Sequence, residues 1–264
     1  MANLSQGLFM AALIAVSVTT AVWTINIFYH RLVRFPQLIM SSGWLLLTLS
    51  IIIRAAATGH GPFSNMYEFS LAFAWGILSL GLIFWWRYRL TPVAGITTGL
   101  ALGLLIFAAT LSSSVVSLVP ALQQSTLLSL HVTAAVIAYG AFTISFVTAI
   151  LYLFRHKSHV SRLPSAENLD RIGYHAVIIG FPFMTLTIIL GAVWADISWG
   201  RYWGWDPKET ASLVTWLLYA GYLHSRVIGN WRGKKSAVLL ITGFCAVLFT
   251  FFGNYIFQGL HSYL

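Results

Sequence analysis

The chain has 264 residues, of which 58% are hydrophobic and only 8% are charged, and its mean hydropathy is +0.81. A soluble domain of this size cannot bury so much apolar surface, so the composition excludes a soluble protein and indicates a polytopic membrane protein. The formal charge of +9 does not indicate a nucleic-acid partner, because the basic residues lie in short segments between apolar runs.

Eight apolar segments follow one another along the chain, and each is long enough to cross a bilayer as a helix of about 20 residues. We therefore predict an all-α fold, in which residues 1–264 form a single integral-membrane domain with about eight transmembrane helices. The predicted spans, in chain order, are 8–28, 37–58, 66–86, 93–111, 130–154, 172–194, 209–228 and 236–258.

The basic residues predict the orientation of these spans. Alternating the loops places twelve of the 15 Lys and Arg residues on one side, and leaves Arg54, Arg201 and Lys208 for the other. Cytoplasmic loops are enriched in Lys and Arg, so the first side is predicted to be cytoplasmic. Both termini are then predicted to be extracytoplasmic, as is the loop between the sixth and seventh spans.

That loop belongs to the tryptophan-rich segment, residues 194–209, with the sequence WADISWGRYWGWDPKE. Aromatic residues also gather at the membrane–water boundary, which offers one explanation. A boundary belt, however, spreads its aromatic residues over many helix ends, whereas this segment concentrates four indoles around two glycines. The pattern favours a surface for a flat, apolar ligand, formed by Trp194, Trp199, Trp203 and Trp205.

Two histidines are predicted to lie beside this segment. His131 opens the fifth span and His261 follows the eighth, so both fall on the predicted extracytoplasmic side. A single histidine at a span end is more often an interfacial anchor or a helix cap. Two imidazoles that face each other next to a wall of indoles would instead form an axial pair for a haem iron.

Other polar residues leave alternatives open. His224 lies inside the seventh span near the cytoplasmic leaflet, where an ionisable side chain indicates function, although the nearby Arg226 would also suit an interfacial position. His30 or His175 could supply a second ligand there. His60 could have a structural role or a role along the substrate path, or it could be a ligand. Asp206 and Glu209 could cap the seventh helix. The chain has a single cysteine, which excludes a disulfide or a CxxCH haem-attachment site within it.

The sequence WGRYWGWDPKE, followed by a tryptophan in the next span and then YLHSR, is similar to the tryptophan-rich (WWD) signature of the CcsA (ResC) family of cytochrome c biogenesis. That family belongs to a wider haem-handling group with CcmC and CcmF, and WDPKE points to the CcsA branch. LHVTAAVIAYGAF around His131, FQGLHSY around His261 and GHGPFSNMYE also resemble the family. The resemblance covers nearly the whole chain.

The resemblance implies a haem-transport subunit of a System II cytochrome c synthase, a haem lyase complex that attaches haem b to apocytochrome c. It implies that His131 and His261 ligate the iron at the tryptophan-rich segment, and that His224 holds haem within the membrane. The site residues are then Trp194, Trp199, Trp203, Trp205, Asp206, His131, His261 and His224, with no catalytic side chain.

The resemblance also implies the surroundings of this subunit. The expected partners are a CcsB (ResB) membrane subunit, which supplies the second ligand to haem at His224, apocytochrome c and a thioredoxin-like thiol reductant. The expected location is a bacterial cytoplasmic or thylakoid membrane, with the active site on the extracytoplasmic side. Arg54, Arg201 and Lys208 are the outer cations available to the haem propionates, although Arg201 and Lys208 could instead pair locally with Asp206 or Glu209.

Two other functions compete with this one. A transporter of another planar or apolar solute would use the histidines as proton relays and would carry acidic residues at the membrane midplane. A purely structural scaffold would leave all haem contact to its partner. The spans contain almost no acidic residues, which counts against the transporter.

Overall fold

A computed structural model describes residues 1–28, 35–114, 125–155 and 163–256 of the chain. Over these ranges the secondary structure consists of helices without a strand, which confirms the all-α fold. The eight helices are α1 (Ala2–Phe28), α2 (Pro36–Thr58), α3 (Met66–Tyr88), α4 (Thr91–Ala109), α5 (Ser125–Arg155), α6 (Ala166–Trp199), α7 (Pro207–Val227) and α8 (Lys234–Ile256).

Seven of the described helices, α1 to α6 and α8, are long and apolar enough to cross a membrane, which confirms a polytopic membrane protein. Helix α7 differs from the others in composition rather than in length. It has 21 residues, enough for a crossing, but Lys208, Glu209, His224 and Arg226 lower its apolar content. Its predicted crossing stays a prediction, as does the orientation of the termini.

The helices pack as two compact units, one within Met1–Val119 and one within Pro120–Leu264, where the sequence predicted one domain. In the first unit, α1 and α3 each pack against both α2 and α4. In the second unit, α5 and α7 each pack against both α6 and α8. Each unit is therefore a closed ring of four helices, a grouping that hydropathy cannot reveal because it does not report which spans touch.

Helix α6 is longer than its predicted span of 172–194. Its 34 residues extend for about 51 Å, whereas the hydrocarbon core of a bilayer is about 30 Å thick. The helix begins after Ser165, whose hydroxyl accepts the backbone N–H of Asn168, and ends at Gly200, whose φ of 71° suits glycine. The apolar stretch stops before the helix does, so the first part of the tryptophan-rich segment is helical and residues 200–206 form the loop.

A buried ion pair joins the end of α2 to the start of α3. Arg54 is 4% exposed and Glu68 is 1% exposed, and Nε of Arg54 donates to Oε1 of Glu68 at 2.7 Å. The guanidinium also donates to the carbonyl oxygens of Ser113 at 2.9 Å and Ser114 at 3.3 Å. The expectation that Arg54 is available to haem propionates is therefore wrong, because the side chain is buried and its charge is paired with Glu68 inside the first unit.

Replacing Glu68 by glutamine should lower the free energy of unfolding by about 3 kcal/mol, because the Arg54 guanidinium would stay buried without its countercharge. Thermal unfolding of the purified protein in detergent measures the loss. Glu167→Gln is the matched control, since Glu167 also lies in the first turn of a helix but is exposed. Equal losses in the two variants would show that the pair at Arg54 contributes nothing specific.

Candidate functional site

His131 lies near the start of α5 and is seated against α6 at Gly191. A Cβ atom added to Gly191 would lie 2.8 Å from Cε1 of His131 and 3.0 Å from Nδ1, so only glycine leaves room for the imidazole. Nδ1 lies 2.8 Å from the carbonyl oxygen of Thr187. A carbonyl can only accept, so Nδ1 carries a proton, and in the neutral ring the lone pair then lies on Nε2. This is the tautomer that binds a metal through Nε2.

The same face of α6 leads from this seat to the tryptophan-rich segment. Thr187, Gly191 and Trp194 are separated by four and three residues, which places them on one side of the helix. The rise from Gly191 to Trp194 is about 4.5 Å, less than one helical turn. The structure thus brings His131 together with the start of the tryptophan-rich segment, as the sequence predicted.

Trp194 itself differs from the prediction of an exposed ligand surface. It is 2% exposed, and its ring contacts the edge of Trp199 at a centroid distance of 4.7 Å. The physical reason is that α6 continues past Trp194, so this residue faces the helix packing rather than a loop. Trp194 is therefore buried beside Trp199, and its predicted contact with the ligand stays a prediction.

The exposed aromatic surface is supplied by the loop. Trp205 is 70% exposed, and its ring meets that of Trp203 edge-on at 5.9 Å. The φ of Trp205 is 56°, in the left-handed region that residues other than glycine rarely adopt. Backbone strain of this kind collects at functional sites, where the surrounding structure enforces it. Tyr202 is exposed on the same loop.

A capping box fastens the loop to α7. The Asp206 side chain accepts the backbone N–H of Lys208 at 2.9 Å, and Oε2 of Glu209 accepts those of Gly204 at 2.8 Å and Asp206 at 3.2 Å. Pro207 occupies the first helical position, where its missing N–H costs nothing. The capping alternative for Asp206 and Glu209 is confirmed. Asp206, predicted to bind the cofactor, is buried and holds the loop in shape.

Two cations lie on this loop and at its end. The guanidinium of Arg201 packs over Gly204, where an added Cβ would lie 2.8 Å from Nε. Lys208 precedes the predicted seventh span, and burial lowers the pKa of its ammonium group to about 8, against the opposing effect of the Asp206 carboxylate. Lys208 therefore keeps most of its positive charge at neutral pH.

The other predicted iron ligands are His224 and His261. His224 is exposed near the end of α7, about 22 Å along the helix axis from Glu209. Close to it, Arg226 donates to both carboxylate oxygens of Asp170 at 2.8 and 2.6 Å, which ties α7 to the start of α6. His261 lies outside the described residues, so its pairing with His131 stays a prediction.

Sequence reasoning missed Gly191 and Thr187, the two residues that seat His131. An isolated glycine within an apolar span is a signal of close packing, so Gly191 could have been noticed but its partner could not. Thr187 contributes its main-chain oxygen, which no side-chain pattern reveals. Trp216 was expected only as part of the motif; its Nε1 donates to the Thr185 hydroxyl at 2.9 Å and so ties α7 to α6.

The fold and the site define a class of protein: a polytopic helical membrane protein with a metal-binding tautomer of histidine beside an aromatic loop. A family model described as cytochrome c assembly protein matches residues 63–261. A CcsA cytochrome c biogenesis protein of Chlamydomonas reinhardtii is 38% identical over 88% of this chain and 69% of its own length. One from Parasynechococcus marenigrum is 31% identical over 99% and 95%, respectively.

The chain belongs to the CcsA family of cytochrome c biogenesis proteins, and a role in that process follows. Among solved structures, the cytochrome c haem lyase CcmF matches with a TM-score of 0.69 over 95% of this chain at 18% identity. At that identity the match shows a shared fold. The chain spans 46% of the length of CcmF.

Proposed function

We propose that this chain transports haem b across the membrane and presents it for covalent attachment to apocytochrome c, as a subunit of a System II cytochrome c synthase. The observation that carries the proposal is the seat of His131, where Gly191 and the Thr187 carbonyl fix the imidazole with its lone pair on Nε2. A merely anchoring histidine needs neither a glycine notch nor a fixed tautomer.

In this proposal, residues of the second unit bind haem at two successive positions. His224, exposed on α7, receives haem within the membrane, with a second ligand from a CcsB (ResB) partner. His131 and His261 then ligate the iron at the tryptophan-rich segment, where Trp205 offers an exposed ring face for the porphyrin. Lys208 and Arg201 supply positive charge for the propionates.

The chain contributes orientation, while haem and substrate supply the chemistry. An apocytochrome with a reduced CxxCH motif approaches the exposed edge of the haem. Each thiol S–H adds across one vinyl double bond, so that a carbon–sulfur bond forms and the hydrogen passes to the other vinyl carbon. A thioredoxin-like reductant keeps the thiols reduced. The site faces the extracytoplasmic side of a bacterial cytoplasmic or thylakoid membrane.

The positions of the acidic residues favour this function over a proton-coupled transporter. All six lie at helix ends: Glu68 in the first turn of α3, Glu167 and Asp170 at the start of α6, Asp196 at its end, and Asp206 and Glu209 at the start of α7. Glu68 and Asp170 are paired with arginines. A relay for protons would need an acidic group at the midplane of a helix.

Purification of the chain together with its partner tests the proposal. We expect the reduced complex to show the absorption spectrum of bis-histidine haem, and His224→Ala to lower the haem content of the whole complex, because that residue receives the haem first. A complex that supports cytochrome c maturation without bound haem would overturn the proposal. Unchanged haem in His224→Ala would remove this residue from the route.

A further inference from the structure

The outward face of α7 carries a glycine next to His224. The exposed residues Val214, Leu217, Gly221 and His224 follow at spacings of three and four, so they share one face of the helix. A Cβ atom added to Gly221 would meet no atom of the described residues within 4 Å. The described packing of the chain therefore does not require a glycine at this position.

Three other helical glycines of the second unit are explained by their neighbours. An added Cβ would come within 3.0 Å of Phe142 at Gly180, of His131 at Gly191 and of Tyr219 at Gly243. Gly221 has no such neighbour among the described residues, yet glycine weakens a helix relative to alanine. Gly7 and Gly103 are equally open among the described residues, so open space alone does not indicate a ligand; Gly221 differs from them in lying one turn from His224 on the same face of α7.

The direction of helical side chains relates Gly221 to the imidazole of His224. A helical side chain leans toward the N-terminal end of its helix and covers the preceding turn, so the imidazole of His224 lies over Ala220 and Gly221. A porphyrin held by this imidazole would extend beyond it along the surface of the helix. Because residue 221 is only about 4.5 Å along the axis from residue 224, its missing side chain would leave room for the macrocycle there.

We infer that Gly221 is a positioning residue for haem at His224: its missing side chain lets the porphyrin approach α7 closely. The inference rests on the proposed function, because it takes haem as the ligand of His224. The exposed side chains of Leu217 and Ile228 flank the same surface and supply apolar contacts above and below the macrocycle. A planar, apolar ligand with an open metal coordination position fits this combination of notch, imidazole and aliphatic rim.

The test isolates the membrane site in the complex of the full chain with its partner. His131→Ala and His261→Ala remove the outer ligands, so the haem that remains reports on His224. In this background Gly221→Leu should lower the haem content about tenfold or more, because the new side chain occupies the space of the macrocycle, and Gly221→Ala should lower it less. Gly103→Leu is the matched control: Gly103 is an exposed helical glycine of α4, also with open space around its Cβ position among the described residues.

The outcomes separate this inference from the proposed function. Leucine favours a helix more than glycine does, so neither leucine variant should unfold more easily. If His224→Ala removes the haem and Gly221→Leu keeps it, the role of Gly221 is overturned while the function stands. If His224→Ala keeps the haem in this background, both are overturned at this site. If Gly221→Leu instead reduces the amount of co-purified partner, the face binds a protein helix and the inference is wrong.

Discussion

Substitution of His131 by alanine should abolish cytochrome c maturation, down to the level measured without the chain. The imidazole is the one described ligand whose position and tautomer are both fixed, by Gly191 and by the Thr187 carbonyl. Alanine leaves that seat intact but removes the nitrogen that would bind the iron. Staining of covalently bound haem in c-type cytochromes measures the effect, together with the reduced absorption spectrum of the purified complex.

Thr133→Ala provides the control for His131→Ala. Thr133 is exposed two residues further along α5, and its hydroxyl donates to the carbonyl oxygen of Ser129 in the same helix. This variant should mature cytochromes at the wild-type level. Full maturation in His131→Ala as well would show that the seated histidine is a packing residue and that the ligand lies elsewhere.

Substitution of Gly191 by alanine should lower the haem content of the outer site by about 10- to 100-fold, although it touches neither iron nor porphyrin. The added methyl group would lie 2.8 Å from Cε1 of His131, closer than real contacts allow, so the ring must move away from the Thr187 carbonyl. Leucine at this position should remove the site altogether. Haem content per complex, measured after reduction, checks both results.

Gly180→Ala separates this effect from a general loss of packing. Gly180 lies in the same helix and faces α5 in the same way, with Cε1 of Phe142 at 2.7 Å from the added Cβ. The two alanine variants should lose similar amounts of thermal stability, because both create an overlap of similar size between α5 and α6. If Gly180→Ala loses haem as severely as Gly191→Ala, then the seat of His131 has no specific role.

The helices were predictable because an apolar run of about 20 residues has few alternatives in a bilayer. The association of His131 with the tryptophan-rich segment was also predictable, since both were assigned to the same end of neighbouring spans. The ends of α6 were not, because hydropathy follows the apolar residues, whereas the helix continues until the left-handed Gly200 stops it. That difference of five residues is why Trp194 lies buried within a helix and not on the exposed loop.

The individual side-chain pairings could not be predicted from the sequence, because they join residues that are far apart along the chain. Arg54 and Glu68 are 14 positions apart in adjacent helices, and a count of charges on the outer side makes Arg54 look available. Arg54 is paired with Glu68 only because α2 packs against α3, and the sequence does not show that packing. The seat of His131 likewise depends on residues about 60 positions away, and no local pattern links a glycine to the histidine that fills its notch.

The turn that carries Trp205 is held in one conformation by hydrogen bonds within the chain. Oε2 of Glu209 draws the amides of Gly204 and Asp206 together, and the left-handed backbone between them aims the indole outward. A flexible loop would lose freedom each time it closed on a guest, and that loss would weaken capture. A porphyrin that docks as proposed would meet a loop already held in shape by these hydrogen bonds, so that loss would be small at each binding event.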